Sequence, residues 1–212
     1  CHGSTGEKSL YSDFVKALEA RFDVEDEGEL SDLLGIEFSN SGGVVSIKQT
    51  AYINKLVATY LPDGLPSNFQ RNKLPYNDRL PQDVCDALVQ EVADVDPVLL
   101  KKYQSIVGAL LYCATNTRPD VAYTVGMLCR AMGRPTPELL GAAERCLRYL
   151  GRTCDIGLRF EACDVPLHGY SDSDWGVKHS TSGHCFILNQ AALSWGSKKQ
   201  SSIALSSCEA EI

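Results

Sequence analysis

The chain has 212 residues, enough for one large domain or two small ones, and with 44% hydrophobic residues it can bury a core. Its net charge of −7 argues against a protein that coats nucleic acid over its whole surface. The charge is uneven, since residues 1–100 contain eight Lys and Arg against seventeen Asp and Glu, and residues 101–212 contain twelve against ten. Contact with a polyanion is therefore expected mainly in the second half.

The nine cysteines are odd in number and form no CxxC pair. This usage favours buried free thiols in a reducing compartment over disulfides or a zinc site. No signal-peptide pattern or membrane-length apolar run is visible, so we expect an intracellular chain outside the membrane, in a cytoplasmic particle or the nucleus. The chain starts at Cys1 and stops at Ile212 within what reads as a helix start. We therefore expect a fragment of a longer protein.

The first sixty residues read as an ordinary α+β layer. Apolar residues at helical spacing predict a helix over 9–22. Two β-prone runs, 30–39 and 44–53, flank a turn that contains Gly42 and Gly43, which predicts a hairpin. A short helix is expected over 51–60. Nothing in this block points to catalysis by itself.

Residues 61–97 contain five prolines and are the best candidate for a linker, with one possible short helix over 82–92. The next stretch has wide apolar stripes, which are typical of helices packed against one another. It predicts three helices, over 97–115, 119–132 and 136–151.

Three arginines recur every three or four residues on the last of these helices: Arg145, Arg148 and Arg152. Such a row is either a solvated helix face or an edge that follows the phosphates of a nucleic acid. The spacing alone favours the solvated face.

After Gly151 the hydrophobic period changes from that of a helix to two. Short β-prone runs separated by turns predict an antiparallel meander: IGLRFEA, VPLHGYSDSDW, GHCFILN, AALSWGS and SSIALSS. The closing residues resemble a helix start, with Ser207 as its cap and Glu209 and Glu211 in the first turn.

Two aspartates in the second of these runs, Asp172 and Asp174, sit at i and i+2 and so share one face of a strand. Carboxylates placed side by side repel each other unless a cation or proton lies between them. The alternatives are a turn at the strand end and a divalent metal site of the kind that hydrolyses phosphodiesters. A glutamate from the closing helix, Glu209 or Glu211, is a candidate second ligand. Only one of these two can point at the aspartates, since they are about 200° apart around the helix axis.

Several ordered motifs resemble a known family. YSDSDW, STSGHCFIL and LSWGSKKQSSIALSSCEAE resemble the start of the ribonuclease H domain in copia-type LTR retrotransposon Pol polyproteins, which read YSDADWAG, STSG, ISWSSKKQ and LSSTEAEY. YQSIVGALLYCATNTRPDVAYTVGMLCRAM and ERCLRYLGRTCDIGLRF resemble the family's connection region. YSDFVKALEARFDVEDEGELSDLLGIEFS is similar to the segment after the polymerase's YVDD hairpin. The likeness extends from about Ser9 to Glu211 and is weak only over 61–97.

The resemblance implies roles for individual residues. Asp172 matches the first catalytic aspartate, Glu211 the catalytic glutamate, and Asp174 a recurrent acidic position beside this magnesium site. The family cuts the RNA strand of RNA–DNA hybrids. Lys198 and Lys199 match a KKQ turn that could contact the backbone of the hybrid independently of its sequence. The expected partners are an RNA–DNA hybrid or template–primer duplex and the remainder of the Pol polyprotein.

The fold class expected from the likeness is α+β. It comprises a palm and thumb-side remnant over 1–60, a linker over 61–97, a helical connection over 98–154 and the incomplete β-meander of a ribonuclease H-like fold over 155–212. The YVDD motif is absent, Cys208 replaces the usual Thr, and in the family two further carboxylates follow the position of Glu211. We therefore expect weak magnesium binding and negligible cleavage by this chain alone. The alternatives are a non-catalytic nucleic-acid-binding scaffold and a decayed copy of the element without activity.

Overall fold

The computed structural model describes residues 5–24, 30–65, 74–89, 95–174 and 180–201 together with Ser206 and Cys208, with side chains from residue 10 onward. Residues up to Ser31 form one compact unit and those from Asp32 onward form another. The described part combines six α-helices with two antiparallel sheets, which confirms the α+β class.

The first unit contains helix α1, Thr5–Glu19. The predicted helix over 9–22 is confirmed, although it begins and ends a few residues earlier. Two apolar side chains of its predicted stripe, Leu10 and Phe14, are exposed.

A sequence of short elements makes up the second unit. They are β1 (Asp32–Leu33), β2 (Ile36–Ser41), β3 (Val44–Lys48), α2 (Thr50–Tyr60), α3 (Leu80–Val89), α4 (Pro97–Asn116), a 3-10 turn (Pro119–Val121), α5 (Ala122–Cys129), α6 (Pro137–Arg152), β4 (Leu158–Glu161), β5 (His168–Asp174), β6 (Thr181–Leu188) and β7 (Ala191–Lys199).

The first sheet has the strand order β1-β2-β3-β4. The predicted hairpin is confirmed as β2 and β3, and its turn uses Gly42 and Gly43 at positive φ, where a side chain would be strained. One sequence prediction is wrong here. The run IGLRFEA was assigned to the meander after Gly151, but β4 pairs with β3, with Leu158 opposite Ile47. Periodicity identified a strand correctly and could not tell which sheet it joins.

Helices α2–α6 surround the main hydrophobic core. Asp96 and Thr136 cap α4 and α6 by accepting hydrogen bonds from Val98 N (2.9 Å) and Leu139 N (3.3 Å). The proline-rich stretch also contributes, because α3 buries three apolar side chains in this core. The largest buried aliphatic side chains are Ile53, Leu80, Ile106, Leu110, Leu128, Leu139, Leu147 and Leu150.

The helix predicted over 119–132 is shorter than expected. It starts as the 3-10 turn at Pro119 and its α-helical part ends at Cys129. Turn geometry follows over residues 130–133 and leads to the cap of α6.

The second sheet is the antiparallel meander β5-β6-β7, as predicted for these three strands. It packs against the helical core through β7, where the Trp195 indole donates to the Ala114 carbonyl of α4 (2.7 Å). The α5 backbone also approaches closely, since a Cβ added at Gly126 would lie 3.3 Å from the Ser197 carbonyl oxygen. The predicted SSIALSS strand and the closing helix start lie outside the described residues, apart from isolated positions.

Candidate nucleic-acid and metal site

Asp172 and Asp174 lie at the end of β5 and share one face of the second sheet. Across the pair of strands, Asp172 is opposite Gly183 and Asp174 is opposite Thr181. Both aspartates are exposed. The i, i+2 spacing therefore places the two carboxylates as the strand prediction requires, and their chemical role stays a prediction.

The face that bears the aspartates is the one turned toward the helices. Partners across a ladder lie on one face, so Tyr170, Cys185 and Trp195 form a row there. Trp195 reaches the end of α4, and Arg130 at the end of α5 donates to the Thr181 hydroxyl (3.0 Å). The sheet and the helices thus enclose an open cleft of about 600 Å³, with Asp172 and Asp174 in its lining.

Space is left open beside Asp172. Its neighbour across the ladder, Gly183, has no side chain, and a Cβ placed there would meet only ordinary contacts at 3.8 and 3.9 Å. Asp172 has no hydrogen-bond or ion-pair partner within the described residues. Its carboxylate is therefore available to a ligand in the cleft.

Asp174 is more constrained than Asp172. One of its carboxylate oxygens accepts a short hydrogen bond from the Thr181 backbone amide. Asp174 also lies close to Tyr123 on the opposite wall of the cleft. Burial raises the pKa of the Tyr123 phenol, and the negative charge of Asp174 raises it further. Asp174 thus closes the end of the β5–β6 ladder while still presenting a carboxylate to the cleft.

The two carboxylates suit part of a magnesium site. Mg²⁺ prefers oxygen ligands and is usually bound through one or two carboxylates plus waters and phosphates. Among the described residues, no group of three or more His, Cys, Asp or Glu side chains is positioned to hold a metal ion. The predicted ligand Glu211 and its neighbour Glu209 lie outside the described residues, so the predicted magnesium set is represented here by Asp172 and Asp174.

The chain is similar over almost its whole length to transposon proteins. It is 36% identical to the retrovirus-related Pol polyprotein from transposon RE1 of Arabidopsis thaliana, over 96% of this chain and 13% of that protein. It is 30% identical to the putative transposon Ty5-1 protein YCL074W of Saccharomyces cerevisiae, over 95% of this chain and 64% of that protein. This chain belongs to the copia-type retrotransposon Pol family.

A third relative covers a shorter stretch of this Pol-derived chain. The protein named secreted RxLR effector protein 161 of Plasmopara viticola is 46% identical over 114 residues, which are 51% of this chain and 80% of that protein. No family model matches the chain, and no solved structure matches it. Because the chain spans only about an eighth of the RE1 polyprotein, the activities of a whole Pol protein are proposals for it.

A buried arginine that sequence reasoning missed lies behind one wall of the cleft. The side chain of Arg118 is fully buried and forms a two-pronged ion pair with Asp120, with N–O distances of 2.9 and 2.7 Å. It also donates to the carbonyl and hydroxyl oxygens of Thr153 (2.9 and 2.7 Å). The Tyr149 ring lies 5.6 Å from the guanidinium carbon, and the Tyr149 hydroxyl donates to Asp120 (2.8 Å). The network joins the turn after α4 to the end of α6.

The electrostatics of this network are self-consistent. Burial disfavours both charges, but the mutual hydrogen bonds and attraction outweigh it. The pKa of Asp120 is therefore lowered and that of Arg118 is raised. The signal in the sequence was an Arg-Pro-Asp tripeptide between two strongly apolar helices, where a charged pair has nowhere to go except into the core or across its edge.

The basic residues predicted to bind nucleic acid occupy three different settings. Lys198 and Lys199 are exposed but lie at the end of strand β7, opposite Ser182 and Thr181, and not in the predicted turn. Successive strand residues face opposite ways, so the two lysines cannot grip one phosphate row together. The chain had been read as turning at KKQ, but the ladder with β6 continues through Lys199.

The three arginines of α6 are also dissimilar. Arg148 pairs with Glu144 (3.2 Å) and Arg152 donates to the Leu65 carbonyl (3.2 Å). Arg145 has no partner within the described residues, and its Nε atom is buried. The row is therefore neither a uniform solvated face nor a uniform line of free cations.

Proposed function

We propose that this chain forms the part of a retrotransposon Pol protein that joins the RNA-directed DNA polymerase to the ribonuclease H, and that its second sheet begins a ribonuclease H-like fold. In the intact protein this sheet would supply the first carboxylates for cutting the RNA strand of an RNA–DNA hybrid. The observation that supports the proposal best is the open, unpaired carboxylate of Asp172 beside Gly183 in the cleft.

Each acidic residue has a defined part in this proposal. Asp172 is the principal metal ligand, since no described group competes for its oxygens. Asp174 is an auxiliary ligand, because its other duty is to hold the Thr181 amide. Glu211 joins them as the remaining ligand of the set. Bound Mg²⁺ would activate a water and stabilise the leaving oxygen of the phosphodiester, and the chain's own residues would hold and orient the ion.

The nucleic acid would be held by contacts that do not read sequence. Lys198, Lys199 and the α6 arginines Arg145, Arg148 and Arg152 are the candidate phosphate contacts. A scaffold without catalysis is the second candidate, favoured by the presence of only two clustered carboxylates in the described part of the chain. The two functions differ in whether hybrid binding is accompanied by magnesium-dependent cleavage.

A separate effector-like role finds less support in the fold. The four letters R-x-L-R in the name of the Plasmopara relative occur in this chain at residues 145–148. They lie within α6, where Cys146 and Leu147 are buried in the core. Packing of the helix explains this tetrapeptide without a recognition role.

The deciding experiment measures RNA-strand cleavage in an RNA–DNA hybrid by the natural, longer open reading frame, with and without Mg²⁺. We expect Asp172→Asn to reduce magnesium-dependent cleavage on the order of a hundredfold or more, because several kcal/mol of charge stabilisation depend on the ion. The matched control is Asp164→Asn, an exposed carboxylate on the loop before β5. Equal cleavage by wild type and Asp172→Asn would refute the assignment.

The 212-residue chain alone offers a second readout. We expect Mg²⁺ to shift the backbone amide resonances near Asp172 and Gly183 only at high concentration, and we expect negligible hybrid cleavage. Rapid multiple-turnover cleavage by this chain would contradict that expectation.

A further inference from the structure

A second groove lies away from the β5 carboxylates, between helices α3 and α6. It has a volume of about 560 Å³. Three arginines line it, together with two acidic residues and three small or neutral ones: Arg79, Arg145, Arg148, Asp83, Glu138, Asn77, Gly141 and Ala142. The concentration of guanidinium groups in one groove of an acidic protein requires a physical explanation.

Arg145 is the central observation. It is only partly exposed, its Nε atom is buried, and it makes no hydrogen bond or ion pair within the described residues. A buried polar group without a partner costs roughly 1–3 kcal/mol, and more when it is charged. Most native groups of this kind have an explanation in a partner, such as an ion or water, that occupies the site.

The acidic residues of the groove are engaged by other groups. Asp83 lies 3.8 Å from Arg79, one turn earlier on α3. Glu144 is shared between Arg148 (3.2 Å) and Lys102 (2.9 Å). Glu138 is at the start of α6, where hydrogen bonds from its own backbone amide and from Thr136 lower the pKa of its carboxyl group. Arg145 is thus the cation without a counter-charge of its own.

We propose that this groove binds a phosphate group of the nucleic-acid backbone, with Arg145 as the main contact and Arg79 and the Asn77 amide as flanking donors. The planar guanidinium donates two parallel hydrogen bonds that match the oxygens of a phosphate. Arg79 is largely exposed and its pairing with Asp83 is long, so it can turn to a ligand at little cost. The inference rests on the proposed function and gives it a specific duplex contact on the helical part of the chain.

The test measures the affinity of the 212-residue chain for a fluorescently labelled RNA–DNA hybrid over a range of salt concentrations. We expect Arg145→Gln to weaken binding several-fold and to reduce the slope of log affinity against log salt by about 0.9, the value for one lost phosphate contact. Arg79→Gln, at an exposed position where folding is not at risk, should reduce the slope in the same direction. The matched control is Arg159→Gln, an exposed arginine on β4 that should leave the slope unchanged.

The outcomes separate this inference from the proposed function. If Arg145→Gln and Arg79→Gln both keep the wild-type slope, the groove does not contact the backbone, whatever Asp172→Asn does to cleavage. If inorganic phosphate raises the thermal midpoint of wild type and not of Arg145→Gln while hybrid binding is unaffected by the substitution, the groove is a small-anion site and the proposal fails. Hybrid binding that depends on Arg145 would sustain it even if no cleavage were found.

Discussion

At the scale of single residues, the most constrained group is the buried pair formed by Arg118 and Asp120. Two charges leave water only if hydrogen bonds and mutual attraction compensate their lost hydration. Here Thr153 and Tyr149 complete that compensation. Removing one partner therefore leaves the other charge without an adequate environment.

We expect Asp120→Asn to lower the free energy of unfolding by about 2 kcal/mol at neutral pH, less than for a fully buried pair because the Asp120 side chain is 34% exposed. The folded pKa of Asp120 is lower than the ordinary value of 3.8, so its stabilisation exists above that pH. It is lost as pH falls below 3.8 toward the folded value. Urea unfolding at neutral pH and in acid measures both effects.

The control for this prediction is Asp164→Asn, which should change stability little at either pH. The gap between wild type and Asp120→Asn should narrow in acid, since both then lack the charge. A gap that stays constant from neutral pH into acid would show that the ionised carboxylate is not the stabilising group.

Residue-level predictions from the sequence succeeded where chemistry follows from spacing. Asp172 and Asp174 share a face because a strand alternates, and any strand over this stretch would place them so. Arg118 was missed because its burial depends on α4, α6 and the intervening turn meeting at one point, which no local pattern encodes. The unpaired state of Arg145 depends equally on where the acidic groups of α3 and α6 come to lie.

At the scale of elements, the assignment of β4 shows the limit of periodicity. A two-residue period identifies a strand, but the partner depends on what lies beside it after folding. Leaving α6, the chain passes Gly157 and runs directly along β3. A Cβ at Gly157 would lie 2.3 Å from the Ile47 carbonyl oxygen, so only glycine permits this approach.

Gly157→Ala should therefore destabilise the second unit by about 1–3 kcal/mol, because the backbone must shift to avoid the Ile47 carbonyl. The loss should be accompanied by faster amide hydrogen exchange in β3, near Val45 and Ile47. Chemical denaturation and native-state exchange measure the two quantities.

Gly108→Ala is the matched control for that substitution. Gly108 is exposed within α4 and has no atom within 4 Å of an added Cβ. Alanine there should raise stability by about 0.5–1 kcal/mol through helix propensity. Equal behaviour of the two variants would mean that β4 is not held closely against β3.

At the scale of the whole molecule, the described elements from Asp32 onward share one core, which determines which thiols can react. Eight cysteines among the described residues are free. Cys113 and Cys146 are fully buried, whereas Cys85 and Cys208 are exposed. Burial raises the pKa of Cys113 to about 12, against a smaller opposing effect of the Arg118 charge, and burial also raises the pKa of Cys146.

A thiol reagent at neutral pH should therefore label Cys85 and Cys208 rapidly in the folded protein. Cys113 and Cys146 should be labelled only when the core unfolds, since the thiolate is the reacting form and both are shielded from reagent and water. Mass spectrometry of the labelled peptides, with and without denaturant, measures this. Native labelling of Cys146 at the rate of Cys85 would be incompatible with the packed core.

No helix among the described residues is both long and apolar enough to cross a membrane, as the sequence prediction required. The likeness to Pol proteins covers both the helical part and the second sheet. The cleft therefore lies between two parts of the chain that are related to the same polyproteins.

The sequence by itself determined the local elements, the same-face placement of Asp172 and Asp174, and membership of the Pol family, because each follows from periodicity or from ordered motifs along the chain. Only the tertiary structure decided that β4 joins the first sheet, that Arg118 is buried with Asp120, and that Arg145 is left unpaired in a groove. Those outcomes depend on which groups from distant segments meet. The free energy of a strand edge or a charge is set by such neighbours and not by its own position in the chain.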